Sequence, residues 1–289
     1  MKQITGTSVI GNNMKTLLAI LMFSTTAFAQ RSLQTGENLG GAKSLKAIIK
    51  LGAVDLQLKG AEDPDKAFGV DYSYTNDEKV PKLMYEVEDG RGIFRLSNDK
   101  EHTNFPFLGF NKEKDSVSIE LANSVPVSLE MGFGVCDATV DLGGMKISDA
   151  DFSTGVCSFD LNFSSPNKIE CSNISVKTGI SSVTVENLAN ARAKSVDFNG
   201  GLGSIKIDFG GKFVSDCDLR VKTGLGSVEI SIPSDINTTI ITPESFLTSV
   251  DVAGFYSQGG GVYRSSEKRG PKLTIHVEAS MGGVKIKSY

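Results

Sequence analysis

A short phrase recurs at near-constant intervals: Met131-Gly132-Phe133-Gly134, Thr154-Gly155-Val156-Cys157, Thr178-Gly179-Ile180-Ser181, Gly200-Gly201-Leu202-Gly203 and Thr223-Gly224-Leu225-Gly226. Between Gly132, Gly155, Gly179, Gly201 and Gly224 the intervals are 23, 24, 22 and 23 residues. So regular a period predicts a repeat architecture, in which each unit buries its apolar face only by stacking on its neighbours. Counted from those glycines, the fourth position holds Cys136, Phe159, Val183, Ile205 and Val228 and the sixth Ala138, Leu161, Val185, Ile207 and Ile230. Residues two apart on a strand share a face, so these two columns are expected in the core.

The first position carries Phe133, Val156, Ile180, Leu202 and Leu225. Passing from that odd position to the even ones needs a bend, which Gly134, Gly203 and Gly226 supply, followed in the last two units by Ser204 and Ser227. Gly132, Gly155, Gly179, Gly201 and Gly224, which open the units, are read as structural corners. Counting backward from each following glycine gives a second inward strand, with Phe152, Val176, Phe198 and Val221 in one column and Ala150, Ile174, Val196 and Leu219 in another. Each rung is expected to contain at least two short strands. The template returns at Lys50–Leu58 and at Ser280–Ile286, which suggests one continuous structure with insertions. In the latter copy Val284-Lys285-Ile286-Lys287 reads as an edge strand whose two lysines discourage end-to-end pairing.

Residues 59–131 break the period. Val70–Tyr74 and Asp115–Leu121 alternate as strands, and Leu83–Val87 and Ile93–Leu96 flank Glu88-Asp89-Gly90-Arg91-Gly92 as a hairpin would. Thr103–Phe110 is an apolar loop between charged stretches. Its aromatics suit either a cap over the open end of the stack or a partner contact through Phe105, Phe107 and Phe110.

At the N-terminus, Lys15, the apolar stretch Leu17–Phe23 and Ala27-Phe28-Ala29 follow the order of a secretory leader, so residues 1–29 are read as a signal peptide. No other apolar run reaches membrane length, and export to the periplasm or cell surface is the expectation. Loss of that leader removes two lysines and no acids, leaving 28 basic against 34 acidic side chains. A mildly acidic surface argues against nucleic acid as a partner. The four cysteines are expected as buried free thiols, because Cys136 and Cys157 stand out of register in the repeat and Cys171 and Cys217 lie on non-adjacent rungs. No CxxC occurs and the two histidines, His102 and His276, are isolated, so no metal or cofactor is expected.

The outward positions, including Asp137, Asp160, Thr184, Lys206 and Glu229, read as a solvated ladder, the alternatives for neighbouring acids such as Asp137 and Asp160 being a calcium site or an acidic cleft. The enzymatic alternative is a polysaccharide lyase or hydrolase with Asp137, Asp160 and Asp208 as its acids, and no aromatic groove accompanies them.

The C-terminal segment joins Thr223–Pro233, Thr238–Ile241, Val250–Gly254, the Gly259-Gly260-Gly261 loop, Pro271–Val277 and Gly282–Ile286. This order resembles the toast-rack and LiaF-like C-terminal domain family: a glycine-led strand ending in Ile-Pro, a variable glycine loop and a closing Gly-Val-x-Ile strand. The resemblance implies a bacterial extracytoplasmic domain akin to adhesin-like β-helices, with no catalytic residues to transfer and, through LiaF-like proteins, an association with envelope stress. The expected fold is all-β: a right-handed parallel β-solenoid-like stack of rungs about 23 residues long, with a hairpin-containing insertion. Its expected organisation is a leader (1–29), an N-terminal β region (30–131) and a glycine-repeat solenoid (132–289). The expected function is that of an exported non-enzymatic scaffold or interaction module of the cell envelope, meeting a protein or polysaccharide.

Overall fold

The computed structural model describes residues 31–74, 80–98, 115–243 and 248–289. Its centre is a stack of long bent strands: β2 (Ser44–Gly60), β7 (Val127–Asp141), β8 (Ile147–Asn162), β9 (Cys171–Glu186), β10 (Ala193–Asp208), β11 (Cys217–Ile232) and β16 (Lys272–Ser288). They pair in parallel in the order β2-β7-β8-β9-β10-β11-β16. Where two short strands per rung are expected, each rung is one strand of 15 to 17 residues, bent at its middle. Residues on either side of the bend change the parity with which they face inward. On β10, Val196 and Phe198 are buried on the first arm, and Ile205 and Ile207 on the second.

The register makes the columns explicit. Phe159, Val183, Ile205, Val228 and Val284 are successive partners, as are Leu161, Val185, Ile207, Ile230 and Ile286. All ten are buried. The two arms meet inside: the Phe152 and Phe159 rings of β8 lie 5.0 Å apart. The chain returning from one rung to the next brings buried Leu142, Phe163, Leu188 and Phe209 into the same core. Leu188 belongs to a single turn of 3-10 helix, Leu188–Ala191, flanked by Asn187 and Arg192 at positive φ.

The first unit sits two residues away from the expected register. Val135 pairs with Val156, Cys136 with Cys157 and Ala138 with Phe159, so the corner of β7 is Gly134 and not Gly132, which pairs with Ser153. A shift of two keeps every side chain on its own face, so the hydrophobic pattern by itself fits both registers. The same shift overturns the free-thiol expectation for one pair of cysteines. Cys136 and Cys157 face each other with their Cα atoms 4.6 Å apart and are joined by a disulfide. Cys171 and Cys217 are buried free thiols.

At both ends the bent strand divides into separate strands, one per arm. At the N-terminal end β2 carries β5 (Arg91–Ser97) on its first arm and β6 (Asp115–Leu121) on its second. Outside these lie β4 (Lys82–Glu88), in a hairpin with β5, and β3 (Lys66–Tyr74) followed by β1 (Arg31–Asn38), all antiparallel. The hairpin turns at Asp89-Gly90, both at positive φ, as the sequence predicts. Its middle is packed by Phe68, whose ring stacks on Phe94 at 4.2 Å and meets Tyr85 edge-on at 5.5 Å. At the other end β12 (Asn237–Ile241) pairs with the first arm of β16 and β13 (Thr248–Ala253) with the second. Val284–Lys287 is consequently an interior segment and not the expected edge, because β13 returns to cover it. Beyond β12 lie β15 (Val262–Arg264) and β14 (Tyr256–Gly259).

Candidate functional site

Two surface features follow from the register, and neither can be reached by local pattern alone. The first is a polar shelf over the second arms of β6, β2, β7 and β8. Outward residues on these strands alternate with core residues, and pairing brings Asp55 opposite Asp137 and Thr139 opposite Asp160, with Ser116 beside Asp55. With Gln57, Ser118 and Ser158 they line a concavity of about 380 Å3. The floor is held rigid by the core side chains Leu56, Val117 and Ala138 beneath it.

Asp137 and Asp160, two of the three acids in the enzymatic alternative, thus share one concavity. Asp208 does not join them. It sits at the end of β10, where Oδ2 accepts the Gly210 backbone N–H at 2.9 Å and Oδ1 the Tyr289 hydroxyl at 2.9 Å. A general acid in glycoside cleavage needs shielding to hold its proton near neutral pH. Asp137 and Asp160 are exposed to solvent. Among the described residues, no group of three acidic, histidine or cysteine side chains is placed to hold a metal ion.

The second feature is a ridge along the bend. Ala53, Val135, Val156, Ile180, Leu202, Leu225 and Met281 are successive partners, one per rung. From Val135 to Met281 they are 42% to 52% exposed. On one shoulder runs the column Gly52, Gly134, Gly155, Gly179, Gly201 and Gly224. A Cβ on any of the last five would stand 2.5 to 2.8 Å from the carbonyl oxygen of the column's preceding glycine. Only glycine lets the bends stack this closely. On the other shoulder the column runs through Cys136, Cys157 and Ser181 to Gly203, Gly226 and Gly282. The last three have φ between 133° and 150°, which glycine alone adopts readily.

A buried polar network closes the N-terminal end of the ridge. Asn98 accepts the Gly52 N–H at 2.8 Å and donates to the Tyr72 hydroxyl at 2.8 Å, and Tyr72 donates to buried Asp115 at 3.0 Å. Burial first, and then the neighbouring Asp115 carboxylate, hold the Tyr72 hydroxyl well above its ordinary pKa. Phe105, Phe107 and Phe110 lie outside the described residues. Burial pushes the Cys171 and Cys217 thiols up to about 12, which keeps both protonated and unreactive at neutral pH.

Among the described residues no helix is long and apolar enough to cross a membrane. No curated protein matches the chain. In fold it is similar to a crystal structure from Clostridium sporogenes ATCC 15579 described as "a putative cell adhesion protein", with a TM-score of 0.53 and 18% identity over 90% of this chain and 100% of that one. Another similar structure, "a putative adhesin" from Bacteroides fragilis NCTC 9343, has a TM-score of 0.31 and 12% identity over 90% of this chain and 98% of that one. The model for the N-terminal domain of toast_rack, DUF2154, matches residues 25–186, more than half of the sequence, spanning the N-terminal cap, the shelf and the first rungs, and the chain belongs to that family.

Proposed function

We propose that this protein is an exported, non-enzymatic recognition module of the bacterial cell envelope, adhesin-like in that it meets a protein or polysaccharide through its lateral surface. The observation that carries the reading is the polar shelf, where Asp55, Asp137, Asp160 and their hydroxyl and amide neighbours stand at the fixed pitch of the strands over a rigid core. Such an array suits the hydroxyls of a glycan or the polar groups of an extended chain. Export is supported by the leader-like order of residues 1–29 and by the Cys136–Cys157 bridge, since disulfides persist in oxidising compartments. The likeness in fold to a structure described as "a putative cell adhesion protein" agrees with this reading. Contact through Phe105, Phe107 and Phe110 and a link to envelope stress belong to the proposal on sequence grounds alone.

A panel of envelope polysaccharides and isolated envelope fractions tests it. Retention without release of cleaved product is the expected outcome, with Asp137→Asn/Asp160→Asn weakening binding about tenfold, the loss of one or two charge-assisted hydrogen bonds. A second reading, polysaccharide cleavage, draws on the same observation that Asp137 and Asp160 share the concavity. Product release abolished by Asp160→Asn with binding retained would establish it and end the non-enzymatic reading.

A further inference from the structure

The ridge is a continuous apolar strip that neither the core nor the shelf uses. Its seven members are spaced by about 4.8 Å and span about 29 Å. A strip of half-exposed aliphatic side chains of this length leaves roughly 400 to 500 Å2 of apolar surface, as large as the biggest patch on most monomers and a frequent mark of an interaction site. Its side chains fall into three sizes along the stack: small at Ala53, intermediate at Val135 and Val156, and large at Ile180, Leu202, Leu225 and Met281. We propose that the occupant of this ridge is a second copy of the chain, packed antiparallel about a two-fold axis at Ile180.

The gradient decides the orientation. Antiparallel packing sets Ala53 against the partner's Met281, Val135 against the partner's Leu225 and Val156 against the partner's Leu202, with Ile180 meeting its own mate. The large member of each pair fills the space that the small one leaves. Parallel packing sets Ala53 against Ala53 and Met281 against Met281, which opens a wedge and forfeits contact at one end.

The flanks are compatible with the antiparallel arrangement. Three residues before the ridge, one column runs from Lys50 to Glu278, with Lys177 at its middle and Lys222 beside Glu278. Reversal places Lys50 near the partner's Glu278 at both ends. Within one chain Lys50 bridges Glu130 at 3.1 Å and Lys222 bridges Glu278 at 3.0 Å, so the new contacts extend existing ion pairs. Lys177 meets its own mate, on a shoulder open to water. On the other flank Asp55 and Asp137 face the partner's Gly283 and Ser227, and no acid faces an acid. Parallel packing also finds a partner for Lys50, in Asp55, so size and not charge selects the orientation. Two such ridges bury about 800 to 1,000 Å2 in total, which belongs to weak, concentration-dependent association.

Sedimentation velocity of the full chain from the low micromolar to the millimolar range is the test. A monomer–dimer equilibrium with a midpoint on the order of 10 to 100 µM is expected, and Ile180→Lys should raise that midpoint at least about tenfold. The thermal unfolding curve should stay where it was, since Ile180 is exposed. Orientation is read by oxidative cross-linking: Ile180→Cys should link to itself, whereas Ala53→Cys and Met281→Cys should link only when mixed. Self-linking of Ala53→Cys would overturn the antiparallel arrangement. A monomer at every concentration would overturn the dimer altogether, whether its Ile180→Cys thiol is shielded from a soluble maleimide by the chain itself or is open and inserts into lipid vesicles.

Discussion

At Gly179 a Cβ would stand 2.6 Å from the carbonyl oxygen of Gly155, and the obstacle is backbone held by pairing on both sides. Gly179→Ala is therefore expected to lose about 1 to 3 kcal/mol, the range of overpacking in a site that cannot relax. Ile180→Ala, one residue on and facing water, should change stability by less than about 0.5 kcal/mol. Urea denaturation of the two variants checks the contrast. The Cys136–Cys157 bridge closes a loop across 21 residues, so Cys157→Ser is expected to lose about 3 kcal/mol, and the wild type should fall to the same midpoint when reduced. In the native state Cys171 and Cys217 should resist alkylation at pH 8 and react only on unfolding. Gly132 shows what sequence could resolve here: in Met131-Gly132-Phe133-Gly134 both glycines keep the alternation intact, so spacing favours the first. Contact across the stack selects the second, and with it the cysteine pairing.

Elements were more legible than their joints. The Asp89-Gly90 turn announced its hairpin because both residues tolerate positive φ. Nothing local announces that Asn98, Tyr72 and Asp115 will meet, since they arrive from three different strand ends. That network makes a prediction about alkali. In the unfolded chain Tyr72 ionises near pH 10, whereas in the fold its proton is held well above that. The stability it contributes is present below about pH 10 and is lost as the pH rises past it, because only the unfolded chain gives up the proton. Denaturant midpoints between about pH 8.5 and 11 should fall, and Tyr72→Phe should flatten that fall while lowering stability at neutral pH. The returning segments depend on side chains that imitate strand pairing. Buried Asn167 accepts the Ile147 N–H and donates to the Ile147 carbonyl, both at 2.8 Å. Asn167→Ala should cost about 2 kcal/mol in a thermal or urea melt, since both backbone groups are left dry and unpaired.

Across the whole molecule the hydrophobic columns were readable and the surface was not. Columns such as Val183, Ile205 and Val228 repeat at the period of the chain, so a single sequence displays them. The shelf requires Asp55 beside Asp137, a pairing between strands that are far apart in the chain. The exposure of the ridge was equally hidden, because aliphatic residues at a bend look like core until the bend is seen to point outward. In a stack whose units contact only their neighbours, protection should decline toward the ends. Hydrogen exchange is expected to be slowest in β8 to β10, and fastest in β14 and β15, whose side chains are exposed or only partly covered.

The rungs are joined by hydrogen bonds that run along the stack, and a single covalent tie, Cys136–Cys157, spans one of those seams. Tension drawn from one end of the stack to the other would open the seams one bond at a time, like a zipper, until it reached β7 and β8. There the tie withholds 21 residues, about 70 Å of slack, from extension. Under such a pull that joint keeps its loop closed while the untied seams give way.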